Sequence, residues 1–174
     1  MSDPIMNESG FTELHLAAYH GELDWVQNCL AGGLQVDARD KGGHTPLWWA
    51  ADMGVVVGDR EEIVKTLLAA GADVNARSDD GDTILRIAID AGNMEIVDLL
   101  IAAGADVDAK SSDGESLLEM AIRGNEGNCK RAVEVLVGAG ANVHASTRSG
   151  KTLLEMALWE GNKYVIRRLK KAGA

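Results

Sequence analysis

The chain has 174 residues, of which 46% are hydrophobic and 25% charged, with a formal net charge of −10 and only two prolines. This composition excludes a disordered, collagen-like or low-complexity chain, and the length fits one domain. No apolar run approaches the roughly 20 residues of a membrane-spanning helix. The first ten residues also lack the basic flank and apolar stretch of a secretory signal. We therefore expect a soluble, cytoplasmic protein with no membrane span.

The residue types that would carry catalysis or hold a metal are few and widely separated. Cys29 and Cys129 are 100 positions apart and match no metal-binding spacing, so we expect no disulfide framework. Cys29 falls where other parts of the chain carry leucine, which indicates a small core residue. The four histidines have no metal-binding spacing either. The sequence thus predicts a protein that is not an enzyme and has no metal and no cofactor.

A short sequence unit recurs along the chain. Its first marker is a glycine, a variable residue and a hydroxyl residue, and the hydroxyl residues follow one another at spacings of 33, 38, 33 and 36 positions: Thr12, Thr45, Thr83, Ser116 and Thr152. Its second marker is Gly-Ala-Asp-Val-Asn-Ala or a close variant. The base period is 33, with insertions at 55–59 and near 124–127. We divide the chain into a tail, 1–6, and a repeat domain, 7–174, with repeats 7–39, 40–77, 78–110, 111–146 and 147–174.

Every unit predicts the same elements in the same order. The hydroxyl residue is a good N-cap for a first helix, because its oxygen can accept a hydrogen bond from the unpaired first-turn amides. Gly21, Gly54 and Gly92 are placed to end that helix in a left-handed turn. A second helix follows in stretches such as 95–101, whose apolar positions fall at helical spacing, and it also ends at a glycine. The closing motif then reads as an extended turn to the next unit.

These motifs resemble those of the ankyrin-repeat family. The best match is Asp40-Lys41-Gly42-Gly43-His44-Thr45-Pro46-Leu47, followed by Ala50-Ala51. The resemblance covers 7–174 and implies an all-α fold, an α-solenoid with β-hairpin loops, in which helix-turn-helix units stack into a single curved domain. The family's Thr-Pro-Leu-His is incomplete elsewhere in the chain. Only His15 keeps the histidine, and the other units carry Trp48, Arg86, Glu119 and Glu155 in its place.

The resemblance also implies a function, which is non-catalytic binding of another protein. In this family the hairpin tips and the exposed ends of the first helices form a concave recognition face. The residues of this chain at those places are Phe11, Tyr19, His20, Lys41, His44, Trp48, Asp52, Met53, Asp79, Asp80, Asp82, Asp90, Asp113, Glu115, Arg123, Arg148 and Trp159. We expect a monomer that acts as an adaptor, an inhibitor or a toxin-neutralising protein.

The uneven distribution of charge bears on the partner. Repeat 78–110 carries −6 and repeat 147–174 carries +5. A crowded set of carboxylates, Asp79, Asp80, Asp82, Asp90, Asp113 and Glu115, favours a protein partner with a basic surface and disfavours nucleic acid. The other interpretation is that acidic hairpins only keep the protein soluble. The basic residues of the last helix, Arg167, Arg168, Lys170 and Lys171, are either a solvated cap or a surface for nucleic acid or an anionic membrane.

Three further features have more than one interpretation. We expect Trp25 and Trp49 to be packed inside, whereas Trp48 could serve packing or binding equally. The apolar insertion 55–57 predicts either a secondary contact or a segment folded back over Trp49. Segment 145–152 resembles a relaxed phosphate-binding loop, but it follows a predicted helix and is the fifth copy of the hairpin. We therefore expect no nucleotide site there.

Overall fold

The computed structural model describes residues 9–52, 59–124 and 126–174, with the backbone alone at 126–128. The described residues contain ten helices and no β-strand: α1 (Glu13–His20), α2 (Leu23–Ala31), α3 (Pro46–Ala51), α4 (Arg60–Ala69), α5 (Ile84–Asp90), α6 (Met94–Ala102), α7 (Leu117–Arg123), α8 (Glu126–Gly138), α9 (Leu153–Trp159) and α10 (Lys163–Lys171). The predicted all-α architecture is confirmed. The chain divides into two compact units, Met1–Ala105 and Asp106–Ala174, which we call unit 1 and unit 2.

Unit 1 is built from three helix pairs in two layers. Within each pair the helices pack together, α1 on α2, α3 on α4 and α5 on α6. The first helices α1, α3 and α5 contact one another in one layer, and the second helices α2, α4 and α6 contact one another in the other. The core between the layers is aliphatic and includes the fully buried Leu14, Leu47 and Ile84. No pair covers its own apolar face, so stability comes from contact between neighbouring pairs.

Unit 2 has the same plan. Helix α7 packs on α8 and α9 packs on α10, while α7 contacts α9 and α8 contacts α10. Its core contains Leu136, Leu153 and Leu169, all fully buried. Cys129 is also buried and reduced, as is Cys29 in unit 1, which confirms that Cys29 is a small core residue.

The predicted N-caps are confirmed in every first helix. The hydroxyl group of each capping residue accepts a hydrogen bond from the backbone amide three positions later: Thr12, Thr45, Thr83, Ser116 and Thr152. Gly21 caps α1 with a φ of 75°, and Gly92 has a φ of 73° one position after the C-cap of α5, which is the left-handed geometry expected of both. Gly54 lies outside the described residues.

Three loops between successive repeats are tight hairpins closed by single antiparallel bridges, Arg77 with Thr83, Lys110 with Ser116 and Ser146 with Thr152. Inside each hairpin the amide of Ser78, Ser111 or Thr147 donates to the carbonyl four residues later. The hydroxyl group of the same residue accepts from the amide of that later residue, at 3.1–3.2 Å. Segment 145–152 is therefore a repeat hairpin after helix α8, as predicted.

The side chain at the position of the family's histidine differs between the first and the fourth repeat. In unit 1 the buried His15 accepts from the Thr12 amide at Nδ1 (3.1 Å), so its Nε2 donates to the carbonyl of His44 (3.1 Å). In unit 2 the buried Glu119 accepts from the amide of Arg148 (3.3 Å). Both side chains join a first helix to the following hairpin across 29 positions, one as a donor and the other as an acceptor.

The tryptophans follow the sequence predictions only in part. Trp25 is 37% exposed, so the expectation that it faces inward is wrong. Val26 and Cys29 form the buried stripe of α2, and the residue before Val26 is turned about 100° from that stripe. Trp48 is only 6% exposed and therefore packs inside, whereas Trp49 is half-buried. The insertion 55–57 lies outside the described residues.

Candidate protein-binding surface

A group of aromatic side chains meets on the surface of unit 1. The indole of Trp49, on α3, makes edge contacts with Phe11 and Tyr19 at ring-centre distances of 5.1 and 5.6 Å. The imidazole of His44 lies 5.4 Å from the same indole. All four side chains are half-buried, and we call them the aromatic cluster. Hairpin residues and first-helix residues thus meet at one place, where partner contacts were predicted.

The carboxylate of Asp40 positions this cluster. It accepts hydrogen bonds from the amides of Gly42 (2.8 Å) and His44 (2.9 Å), and from the indole Nε1 of Trp49 (3.0 Å). The His44 imidazole also lies 3.1 Å from it. Burial by itself would raise the pKa of Asp40, but these hydrogen bonds outweigh burial and lower it. Asp40 is therefore an ionised acceptor that fixes both the hairpin and the ring at the centre of the cluster.

Three other predicted residues lie beside the cluster. The ring of His20 is exposed and lies 5.2 Å from that of Tyr19. Lys41 is exposed at the hairpin tip, where its amide donates to the carbonyl of Ser9 (3.1 Å). Trp48 lies 4.7 Å from His44, but its burial leaves little surface for a partner, so packing is its role here.

Asp52 and Met53 were predicted at the end of the first helix of the second repeat. Asp52 is the half-buried C-cap residue of α3, and its carbonyl accepts a hydrogen bond from the guanidinium of Arg60. Met53 lies outside the described residues.

Three of the predicted acidic residues of unit 1, Asp79, Asp82 and Asp90, lie close to an arginine of the same unit. Arg86 pairs with Asp82 and extends to Asp90, whose carboxylate is 3.9 Å away. Arg39 lies 3.6 Å from Asp79. Desolvation raises the pKa of Asp90, although Arg86 opposes the effect. These arginines reduce the repulsion among the carboxylates, a role that we had expected a cationic partner to fill.

Asp80 differs from its acidic neighbours. It is exposed, and within the part of unit 1 that the structure describes it forms no ion pair. Asp79 is also accessible, with 67% of its side chain exposed, and its amide donates to the carbonyl of Gly42 (2.9 Å). The hairpin that carries Asp79 and Asp80 therefore lies directly beside the hairpin of the aromatic cluster.

The predicted acidic residues of unit 2 are also paired. Arg148 binds the carboxylate of Asp113 (2.7 Å) across two hairpins. Arg123 binds both Glu115 (2.9 Å) and the buried Glu119 (3.1 Å). The hydroxyl of Ser111, more than the nearby Arg148, lowers the pKa of Asp113. The charges that sequence reasoning treated as an attraction for cations thus form an internal network.

Trp159 is the most accessible large apolar side chain described in unit 2. It is 81% exposed, and the neighbouring Leu158 is 54% exposed. The ammonium group of Lys151 lies 5.3 Å from the centre of the Trp159 ring. Lys151 and Trp159 line a cleft of about 140 Å³ together with Arg123, Thr147 and Ser149. Unit 2 therefore also exposes an aromatic side chain, Trp159, next to a hairpin residue, Lys151.

The described residues contain no group of three or more His, Cys, Asp or Glu side chains that could hold a metal ion. Among the helices that the structure describes, none is both long and apolar enough to cross a membrane.

The comparison with protein families agrees with the fold and the loops. The family described as "Ankyrin repeats (3 copies)" matches residues 2–78, 55–147 and 85–174. The chain belongs to the ankyrin-repeat family. Ankyrin repeats generally mediate protein–protein interactions and are non-catalytic.

Curated ankyrin-containing relatives match parts of this ankyrin-repeat chain. Tyrosine-protein kinase Shark of Drosophila melanogaster is 36% identical over 90 residues, which cover 51% of this chain and 9% of the kinase. Inversin of Gallus gallus is 35% identical over 83 residues, 47% of this chain and 7% of inversin. Protein phosphatase 1 regulatory subunit 27 of Homo sapiens is 35% identical over 77 residues, 44% of this chain and 47% of that subunit. In each case the match spans less than half of the relative.

Proposed function

We propose that this ankyrin-repeat protein binds another protein through its hairpin tips and first helices, with the aromatic cluster of unit 1 as the anchor. Tyr19 and Trp49 are side-chain types that bury much apolar area at low cost in conformational entropy. The observation that carries the proposal is that Trp49 is held in place by Asp40 while it remains half-exposed. An anchor positioned before binding has less freedom to lose when the partner arrives.

We propose further that the partner has a basic surface. Asp79 and Asp80 are exposed on the hairpin that follows that of His44, and they supply negative charge next to the apolar anchor. The ion pair of Asp79 with Arg39 is solvent-exposed, so it is weak and leaves the carboxylate available. A lysine or arginine on the partner would meet Asp80 without displacing an internal pair.

The proposed role is that of a monomeric adaptor, inhibitor or toxin-neutralising protein. A binding surface without catalytic groups acts by occupying or bridging its partner. The similarity to a protein named as a phosphatase regulatory subunit, over 44% of this chain, is consistent with an inhibitor or adaptor. A sedimentation measurement that gives one species of 18.4 kDa would support the monomer.

The anchor is tested by matched aromatic variants. Wild-type protein, Tyr19→Ala and Trp25→Ala are immobilised, and proteins captured from native lysate are quantified by mass spectrometry. Trp25 is an exposed aromatic residue outside the cluster and serves as the control. A true partner is lost with Tyr19→Ala and retained with Trp25→Ala, with both variants folded by circular dichroism. Equal capture by both variants contradicts the anchor.

The basic partner is tested with the protein identified in this way. We expect the double variant Asp79→Lys, Asp80→Lys to weaken the complex about tenfold, and we expect wild-type affinity to fall as salt increases. Asp24→Lys on α2, an exposed carboxylate away from these hairpins, is the control. Unchanged affinity in the double variant contradicts a basic partner but leaves the aromatic anchor standing.

A further inference from the structure

Unit 2 carries a second charged surface on its outer helices. Lys163, Arg167, Lys170 and Lys171 are exposed on α10, and Arg168 is half-buried beside them. Lys130 of α8 lines the same cleft as Lys163 and Arg167. We call these six residues the basic face: Lys130, Lys163, Arg167, Arg168, Lys170 and Lys171.

The cations of the basic face differ from the four arginines that pair with the acidic residues described above. Arg39, Arg86, Arg123 and Arg148 each lie within 4 Å of at least one Asp or Glu oxygen. Across residues 126–174, as far as the structure describes them, none of the six cations of the basic face forms an ion pair. Their charge is therefore available to an external anion.

Two surface clefts pass over this face and share two of their lining residues. The first, of about 450 Å³, is lined by Lys130, Lys163, Tyr164 and Arg167. The second, of about 420 Å³, is lined by Tyr164 and Arg167 with Arg168, Lys171 and Glu134. The Arg167 guanidinium lies 5.9 Å from the Tyr164 ring centre, which limits the motion of both side chains at the junction. The clefts together offer more room than one small anion needs.

Helix α10 packs against the rest of unit 2 through its apolar side. Val165 and Leu169 are fully buried, and the side chain of Asn162 caps the helix by accepting from the Val165 amide (3.2 Å). An amphipathic helix that enters a lipid surface needs its apolar face free. Here that face is used for packing, so the ligand has to be recognised by charge and by Tyr164.

The size of the face also limits the ligand. Nine residues of α10 extend about 14 Å, which corresponds to about four phosphates along one nucleic-acid strand. An extended polyanion would continue past the helix, beyond the six cations of the basic face. Screening confines the attraction to within about 8 Å at physiological salt, so a short anionic segment experiences mainly the local cations. A carboxylate-rich peptide fits these conditions better than a duplex or a membrane.

We propose that the basic face of unit 2 binds an acidic segment of a partner protein. Aspartate and glutamate side chains pair with Lys163, Arg167 and the lysines of the last turn, while Tyr164 packs against the segment between the clefts. This site is independent of the aromatic cluster and of the basic partner proposed for it.

The test measures binding of a fluorescein-labelled oligoglutamate peptide by anisotropy at about 150 mM salt. The double variant Lys163→Gln, Arg167→Gln is compared with the double variant Lys65→Gln, Arg77→Gln. Both lose one lysine and one arginine charge, but Lys65 and Arg77 are exposed in unit 1. We expect about tenfold weaker binding in the first variant and less than a twofold change in the second. Equal weakening in both, or no binding by wild type, overturns the proposal.

Other ligands are separated by parallel titrations. The same variants are titrated with a DNA duplex and with vesicles of phosphatidylcholine and phosphatidylserine at about 7:3. Tighter binding of either than of the peptide, lost in the same variant, overturns the assignment to a protein segment. If the protein self-associates without peptide, and this association is salt-sensitive and lost in the same variant, the ligand is a second copy of this chain and the proposal is overturned. If the double variant Lys163→Gln, Arg167→Gln does not fold, the double variant Lys170→Gln, Lys171→Gln is used in its place.

Discussion

Replacing Asp40 with alanine is expected to cost much more stability than removing the equivalent side chain of the next hairpin. Asp40 is 9% exposed and accepts from three N–H groups: the amides of Gly42 and His44 and the indole of Trp49. Ser78 begins the following hairpin and accepts from one amide, that of Asp82, at 3.2 Å. The two positions share their backbone geometry, so Ser78→Ala is a matched control.

The magnitude follows from the number of donors left without an acceptor. Each lost hydrogen bond in a buried or half-buried setting costs about 1–1.5 kcal/mol, so Asp40→Ala is expected to lose about 3–4 kcal/mol. Ser78→Ala is expected to lose about 1 kcal/mol by the same reasoning. The variant at Asp40 also frees the Trp49 indole, which should shift the tryptophan emission to longer wavelength even in the folded protein.

The assay is urea unfolding of the two variants and the wild type, followed by tryptophan fluorescence and by circular dichroism at 222 nm. Near-equal losses in Asp40→Ala and Ser78→Ala would refute the assignment of Asp40 as the residue that positions the cluster. A large loss without a change in native emission would keep its role in the hairpin and remove its role at Trp49.

Two further predictions concern the residues at the family's histidine position. Burial lowers the pKa of His15 below its ordinary 6.5, so at and below that pH the unfolded chain binds more protons than the folded one, and the stability that depends on neutral His15 is lost as the pH falls. His15→Gln should therefore flatten the decline of the melting temperature between about pH 7.5 and 5.5. An unchanged slope would contradict this role of His15. Glu119→Ala should cost about 2–3 kcal/mol, because the amide of Arg148 and the guanidinium of Arg123 lose a buried acceptor. Glu155→Ala, which removes only an exposed capping contact, should cost less than Glu119→Ala in the same urea titration, and a loss as large as that at Glu119 would contradict the reasoning.

The helix starts and the hairpins were predictable from sequence because each depends on a local pattern that recurs. A hydroxyl residue at the N-cap or a glycine at positive φ is required by the backbone of its own unit, so the period alone locates Thr45 or Gly92. Trp25 was mispredicted for a local reason as well, since its apolar character was weighed without the stripe formed by Val26 and Cys29.

The aromatic cluster could not be predicted in the same way. It joins side chains from two neighbouring repeats of unit 1, whose contact depends on the relative rotation of α1 and α3, and Trp49 was expected only to pack. One signal was present: the first hairpin position carries Asp40, where the later hairpins carry serine or threonine, Ser78, Ser111 and Thr147. A carboxylate there can accept more hydrogen bonds than the turn itself offers, which indicates an additional donor near by.

The arginines change how the acidic composition should be interpreted. A net charge of −10 and six crowded carboxylates favoured a cationic partner, yet Arg86, Arg123 and Arg148 pair with most of those carboxylates. A carboxylate in such a pair attracts a partner only after its arginine is displaced, whereas Asp80 and the cations of the basic face require no such exchange. Charge reversal at Asp80 should therefore affect an electrostatic complex more than reversal at Asp82, although the two residues add the same charge to the sequence.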